Sequence, residues 1–187
     1  MVDSSLRWVV RLRWISLGGL GVCAGFAKSE GQALRWWLIA VIIGLGVASN
    51  LALGWLPRRR GVTLARQHTS YIIAAALVLD MLLLTACLAV TGGASNPFSV
   101  LYLVHIALAA VVLTSRQTLA MAAVSVVLFA LLFLVDVGQV HVHDPKASLF
   151  ENKHLQGMWL AFTLAALITG YFVSRIAATL QAQREQI

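Results

Sequence analysis

The chemistry this chain can offer is gathered around one short turn: Asp80, Gly92, Gly93, Asn96, Pro97, Phe98, Tyr102 and His105. Residues 92–98 read GGASNPF and stand between two apolar stretches, each long enough to cross a bilayer. Two glycines permit backbone conformations and close approaches that a side chain blocks. Asn96 is placed to cap a following helix by accepting from its first amides, and Pro97 fits a first helical turn, where its missing N–H costs nothing. A turn and a helix start account for the Gly, Asn and Pro. They leave unexplained the alignment of Phe98, Leu101, Tyr102 and His105 on one helical face. That face offers an aromatic ring, a phenol and an imidazole. Small apolar quinoid molecules bind by stacking on a ring while polar groups meet their oxygens, so the face suits them.

Two ionisable residues fall deep inside apolar blocks, Asp80 in AAALVLDMLLL and His105 in LYLVHIALAA. Hydrocarbon solvates a charge poorly, so a carboxylate there must be protonated, paired or turned to a cavity. On a rise of about 1.5 Å per residue, Asp80 lies roughly 18 Å below Gly92 and His105 roughly 13 Å below Asn96. The spacing therefore predicts that the two can meet, directly or through water. They would form either a packing pair that fixes helix orientation or the polar wall of a ligand pocket.

The other reactive residues read as structural. Cys23 and Cys87 lie inside apolar blocks without CxxC spacing or histidine neighbours, as buried small hydrophobes do. His141, His143 and His154 occur around the segment GQVHVHDPKASLFENKHLQ, a weak metal set better read as solvated histidines. His68 has no acidic neighbour and reads as interfacial. There is no phosphate-binding glycine loop, HExxH motif or nucleophile–base set, and no metal site is expected.

The elements that must position these residues are membrane spans. The chain has 187 residues, 60% hydrophobic and only 11% charged, with the apolar residues in blocks. That pattern excludes an ordinary soluble domain and predicts an all-α polytopic membrane protein with six transmembrane helices. The expected spans cover about residues 12–27, 36–55, 71–91, 98–114, 118–137 and 158–173, making 1–173 one membrane domain and 174–187 a helical linker. The net charge of +7 comes from basic residues between the blocks, where lipid and topology explain them better than nucleic acid does. Ten Lys and Arg residues, Arg13 among them, fall on the side of the termini and four on the other, which predicts both termini in the cytoplasm. The first block is short, glycine-rich and ends AGFA, a pattern that a cleavable signal peptide shares. After Val173 no Gly or Pro stops the last helix, and Ile176, Leu180 and Ile187 form a thin apolar stripe. This is the pattern of a weak two-helix stalk in a homodimer, or of an amphipathic tail on lipid headgroups.

GGASNPFSVLYLVH, Gly92 to His105, resembles the membrane region of the RegB/PrrB/ActS family of redox-responsive sensor histidine kinases, which carries a GGxxNPF heptapeptide between its third and fourth spans. The match is complete at Gly92, Gly93, Asn96, Pro97 and Phe98, and RLRW (Arg11–Trp14) is similar to the family's N-terminal sequence, which favours a retained first helix. The resemblance implies a bacterial inner-membrane sensor that binds ubiquinone near the 92–98 loop. It implies a cytoplasmic kinase core and a response regulator as partners. Residues 1–187 hold no phosphoacceptor motif or ATP-binding lobe, so a kinase core would have to follow Ile187 and enzymatic activity is not expected of these residues alone. Two other classes compete with this reading: a ligand-free membrane anchor or assembly factor, in which Asp80 and His105 only bind helices together, and a small transporter bundle. The latter would show repeated halves or broken helices, and the sequence shows neither.

Overall fold

The computed structural model describes residues 2–29, 35–59, 66–140 and 153–184, with side chains over 7–29, 35–55, 69–133 and 156–179. The described residues are helical apart from short turns, and they divide at Gly92–Gly93 into two compact units.

The first unit holds α1 (Val2–Ser29), α2 (Trp36–Arg59) and α3 (Arg66–Val90), each in contact with the other two. The core stripe of α1 recurs at helical spacing through Val9, Arg13, Leu17 and Leu20 to Cys23 and Ala24, all buried. From α3 it meets Leu77, Met81, Leu84 and Leu88, which are also buried. The helices approach closely at Gly46, where a Cβ would overlap Leu17 Cδ2. This first helix forms one wall of the unit.

The second unit opens with two 3₁₀ turns, Gly93–Ser95 and Pro97–Val100, and continues as α4 (Leu101–Val112), α5 (Ser115–Val140) and α6 (Lys153–Arg184). These three helices are mutual neighbours, and the first 3₁₀ turn rests on α5. An aromatic cluster fills their core: Tyr102 from α4, Phe129 and Phe133 from α5 and Phe162 from α6. The centroids of Phe129 and Phe162 are 4.2 Å apart, and Tyr102 meets Phe162 edge-on at 5.8 Å.

Among the described residues, five helices are long and apolar enough to span a membrane, while Pro97–Val112 is a shorter apolar helix. The fourth expected span, 98–114, is thus shorter than its apolar run. Its C-terminus is fixed at Leu113, which turns to extended backbone (φ −109°, ψ 173°) while its N–H closes on Ala109 O at 2.8 Å. Thr114 then caps α5. Its Oγ1 accepts from the Gln117 amide, and Gln117 Oε1 accepts in return from the Thr114 N–H at 3.1 Å. TSRQ is therefore a reciprocal capping box, and it sets where α4 must stop. The sixth helix is unbroken from Lys153 to Arg184, so residues 174–184 of the expected linker continue the membrane helix. His141, His143 and Ile187 lie outside the described residues, as do the side chains of His68, His154 and Leu180.

Candidate functional site

The heptapeptide folds as its residue types demand. Gly92 and Gly93 take φ values of 124° and 64°, the left-handed half of the map where a side chain is strained. These two residues turn the chain out of α3. Asn96 is extended (φ −68°, ψ 123°), and its Oδ1 accepts from the Phe98 amide at 2.9 Å. Pro97 follows as the first residue of the turn. Asn96 and Ala94 are buried, Pro97 is exposed and Phe98 is half-buried. The turn is thus an internally bonded cap with Pro97 exposed and Phe98 half-buried.

Below the turn, Phe98 and Leu101 are half-buried while Tyr102 and His105 are buried. Tyr102 has no exposed surface and is enclosed by Phe129 and Phe162. His105, 5% exposed, places Nδ1 2.8 Å from Leu101 O. A carbonyl oxygen only accepts, so Nδ1 carries the proton. In the neutral ring Nε2 is then a bare acceptor. It is buried and has no hydrogen-bond partner among the described residues. Buried polar atoms are seldom left so, because an unmade hydrogen bond there costs about 1–3 kcal/mol.

Asp80 belongs to a different arrangement. Its two carboxylate oxygens accept from Arg13 Nε and Nη2, each at 2.7 Å, in a two-pronged ion pair with both side chains almost fully buried. Arg13 Nη2 also donates to Ser49 Oγ at 2.8 Å, and that hydroxyl donates onward to Gly46 O. The expected Asp80–His105 pairing is corrected: the carboxylate takes arginine as its partner within the first unit, and the histidine bonds within the second. The planar guanidinium matches a carboxylate fork and is more weakly hydrated than an ammonium, so it is the cation best suited to burial beside Asp80.

Arg13 was also misplaced in the charge tally, since it lies in the helix core and not among the headgroups. Without it the balance is nine against four, with the sign unchanged. The sequence held the signal. Arg7 and Arg11 share a helical face, and Arg13, two residues on, falls opposite, in line with Val9, Leu17 and Leu20. Asn50 was missed as well. It is fully buried on α2, and its Nδ2 donates to Val10 O at 3.1 Å. Cys23 and Cys87 are buried, as expected, and Cys23 Sγ lies 3.4 Å from Thr91 Oγ1. Among the described residues no cluster of His, Cys, Asp or Glu could hold a metal ion.

Apolar helices, an ion pair buried among them and a glycine turn between two helices define a polytopic α-helical membrane domain. The model of the family described as PilS-like transmembrane domain, a six-span domain, matches residues 27–186, and the chain belongs to that family. It is similar to the sensor histidine kinase RegB of Cereibacter sphaeroides, with 26% identity over 191 residues, covering 97% of this chain and 38% of that relative. The chain thus spans less than half the length of RegB. No solved structure matches it. A RegB-like membrane region of a multi-pass protein in the bacterial inner membrane is what these findings define.

Proposed function

We propose that this chain is the membrane sensor region of a two-component histidine kinase and that it responds to the redox state of a membrane quinone, ubiquinone in the simplest case. The kinase reading rests on the similarity to RegB. The ligand reading is carried by one observation, the buried Nε2 of His105, without a hydrogen-bond partner among the described residues, on the helical face that begins at the half-buried Phe98. With Nδ1–H committed to Leu101 O, neutral His105 can accept from a hydroxyl but has nothing to give a carbonyl. A quinol brings the hydroxyl; a quinone brings only carbonyls. The same side chain therefore discriminates between the two redox forms in favour of the quinol.

In this reading Phe98 supplies ring contact, and Gly92, Gly93, Asn96 and Pro97 hold the turn that sets its position. Tyr102 forms the back wall through Phe129 and Phe162. Asp80 is assigned to the Arg13 pair instead. A ligand on α4 would bear directly on α6, because Ile106 lies so close to Gly170 that a Cβ there would sit 3.5 Å from its Cγ2. The unbroken α6 would carry the displacement toward a kinase core that phosphorylates a response regulator.

The test is quinol against quinone binding to the purified chain in nanodiscs. His105→Leu should weaken quinol about tenfold, the equivalent of one hydrogen bond, and leave quinone almost unchanged. Phe98→Ala should weaken both. Equal binding of both forms to all variants would leave His105 a packing residue, and binding of neither form would favour the ligand-free anchor.

A further inference from the structure

A recess lies wholly within the first unit. It is a groove of about 550 Å³ between the N-terminal half of α1 and the C-terminal half of α2, lined by Arg7, Arg11 and Trp14 from one and Asn50, Leu51 and Trp55 from the other, among others. Three features specify what would fill it. Arg7 and Arg11 are exposed, one turn apart, and neither has a carboxylate partner among the described residues. Such a pair attracts a single anion held between them. Asn50 has no exposed surface and spends Nδ2 on Val10 O, which leaves its Oδ1 as a buried acceptor without a donor among the described residues. The outer rim is apolar: Leu51 is 60% exposed, and the indoles of Trp14 and Trp55 are about half exposed, as tryptophans at headgroup level are.

An occupant must therefore bring a negative charge, a hydrogen-bond donor and an alkyl chain. A phosphodiester satisfies the first, a headgroup hydroxyl the second and an acyl chain the third. We propose that this groove binds one anionic glycerophospholipid whose headgroup carries hydroxyls. Its phosphate lies on Arg7 and Arg11, and its headgroup folds along α2 to donate to Asn50 Oδ1. Asn50 is five residues from Trp55, roughly 7 Å along the helix axis, so the donor must turn back toward the bilayer. A choline headgroup fails twice, since its own cation offsets the phosphate and it has no donor.

The experiment is native mass spectrometry of the full chain, delipidated and then offered competing lipids. Phosphatidylglycerol should be retained about tenfold over phosphatidylcholine. It should also be retained over phosphatidylmethanol, which keeps the charge and lacks the hydroxyls. Both arginines are exposed, so Arg7→Gln/Arg11→Gln should fold and lose the first preference, while Arg35→Gln, exposed outside the groove, should keep it. Asn50→Ala should erase only the preference over phosphatidylmethanol. Absence of any phosphatidylglycerol preference overturns the proposal, as does a preference unchanged in the double variant. Competition by glycerol 3-phosphate as effective as the lipid's would overturn it too, by making the site one for a soluble anion.

Discussion

The most consequential single interaction inside the membrane is Arg13 with Asp80. Both groups are removed from water, and their attraction offsets desolvation only while the fork geometry is intact. Removing one partner leaves an uncompensated charge. Asp80→Leu or Arg13→Met should each destabilise the chain by about 3–5 kcal/mol. The double replacement Arg13→Met/Asp80→Leu should cost far less than the sum, because it deletes both desolvation penalties together. Thermal unfolding in detergent across the cycle reads this coupling. Additive losses would mean that the pair contributes nothing beyond two separate burials. The sequence showed that Asp80 needed a partner but not which one. Arg13 stands beside Arg7 and Arg11 and reads as a headgroup charge until helical angle, rather than proximity along the chain, is taken as the criterion.

The turn between α3 and α4 gives the clearest test at the level of elements. Gly92 at φ 124° has no favourable counterpart for an L side chain, so Gly92→Ala should cost about 1–3 kcal/mol. Gly18 lies inside α1 with open space where a Cβ would stand, so Gly18→Ala should be neutral or stabilise by up to about 1 kcal/mol. Equal effects at the two positions in a detergent melt would show that the turn conformation matters no more than helix propensity. Asn96→Ala, which removes the cap on the Phe98 amide, should cost about 1 kcal/mol by the same measurement. The helices and this turn were legible because apolar length and Gly-Asn-Pro chemistry are local signals. The end of α4 was not read, because the apolar run continues through Val112 and Leu113 while the stop comes from reciprocal bonds between Thr114 and Gln117. The Phe98–His105 face was half legible. Helical spacing aligned it, but spacing does not report that Phe129 and Phe162 enclose Tyr102.

At the scale of the molecule, α6 is the helix whose surface is least used within the chain. A smaller share of it is buried than of any other long apolar helix described. Leu160, Leu164, Leu167 and Tyr171 are each at least 47% exposed, and they follow one another at intervals of four, three and four residues. Those steps average about 3.7 residues, close to the 3.6 of a straight helix, so the four side chains keep to one face over this segment. Ala166, on the inward side, is fully buried. In a bilayer an exposed leucine needs no protein partner, so burial alone does not separate a lipid-facing surface from a dimer seam. Regular spacing carried on by a continuous helix does favour a seam, because a helix that relays a signal gains from being paired along its length. We expect a two-fold homodimer in which α6 packs on its counterpart and continues together with it past Arg175. Single cysteines introduced from position 160 to 176, in a Cys23→Ala/Cys87→Ala background, test this in intact membranes. Cross-linking should peak for Leu160→Cys, Leu164→Cys, Leu167→Cys and Tyr171→Cys and fall to background for Ala166→Cys. A flat or absent pattern would leave α6 facing lipid, and any signal it carries would then have to pass within one chain.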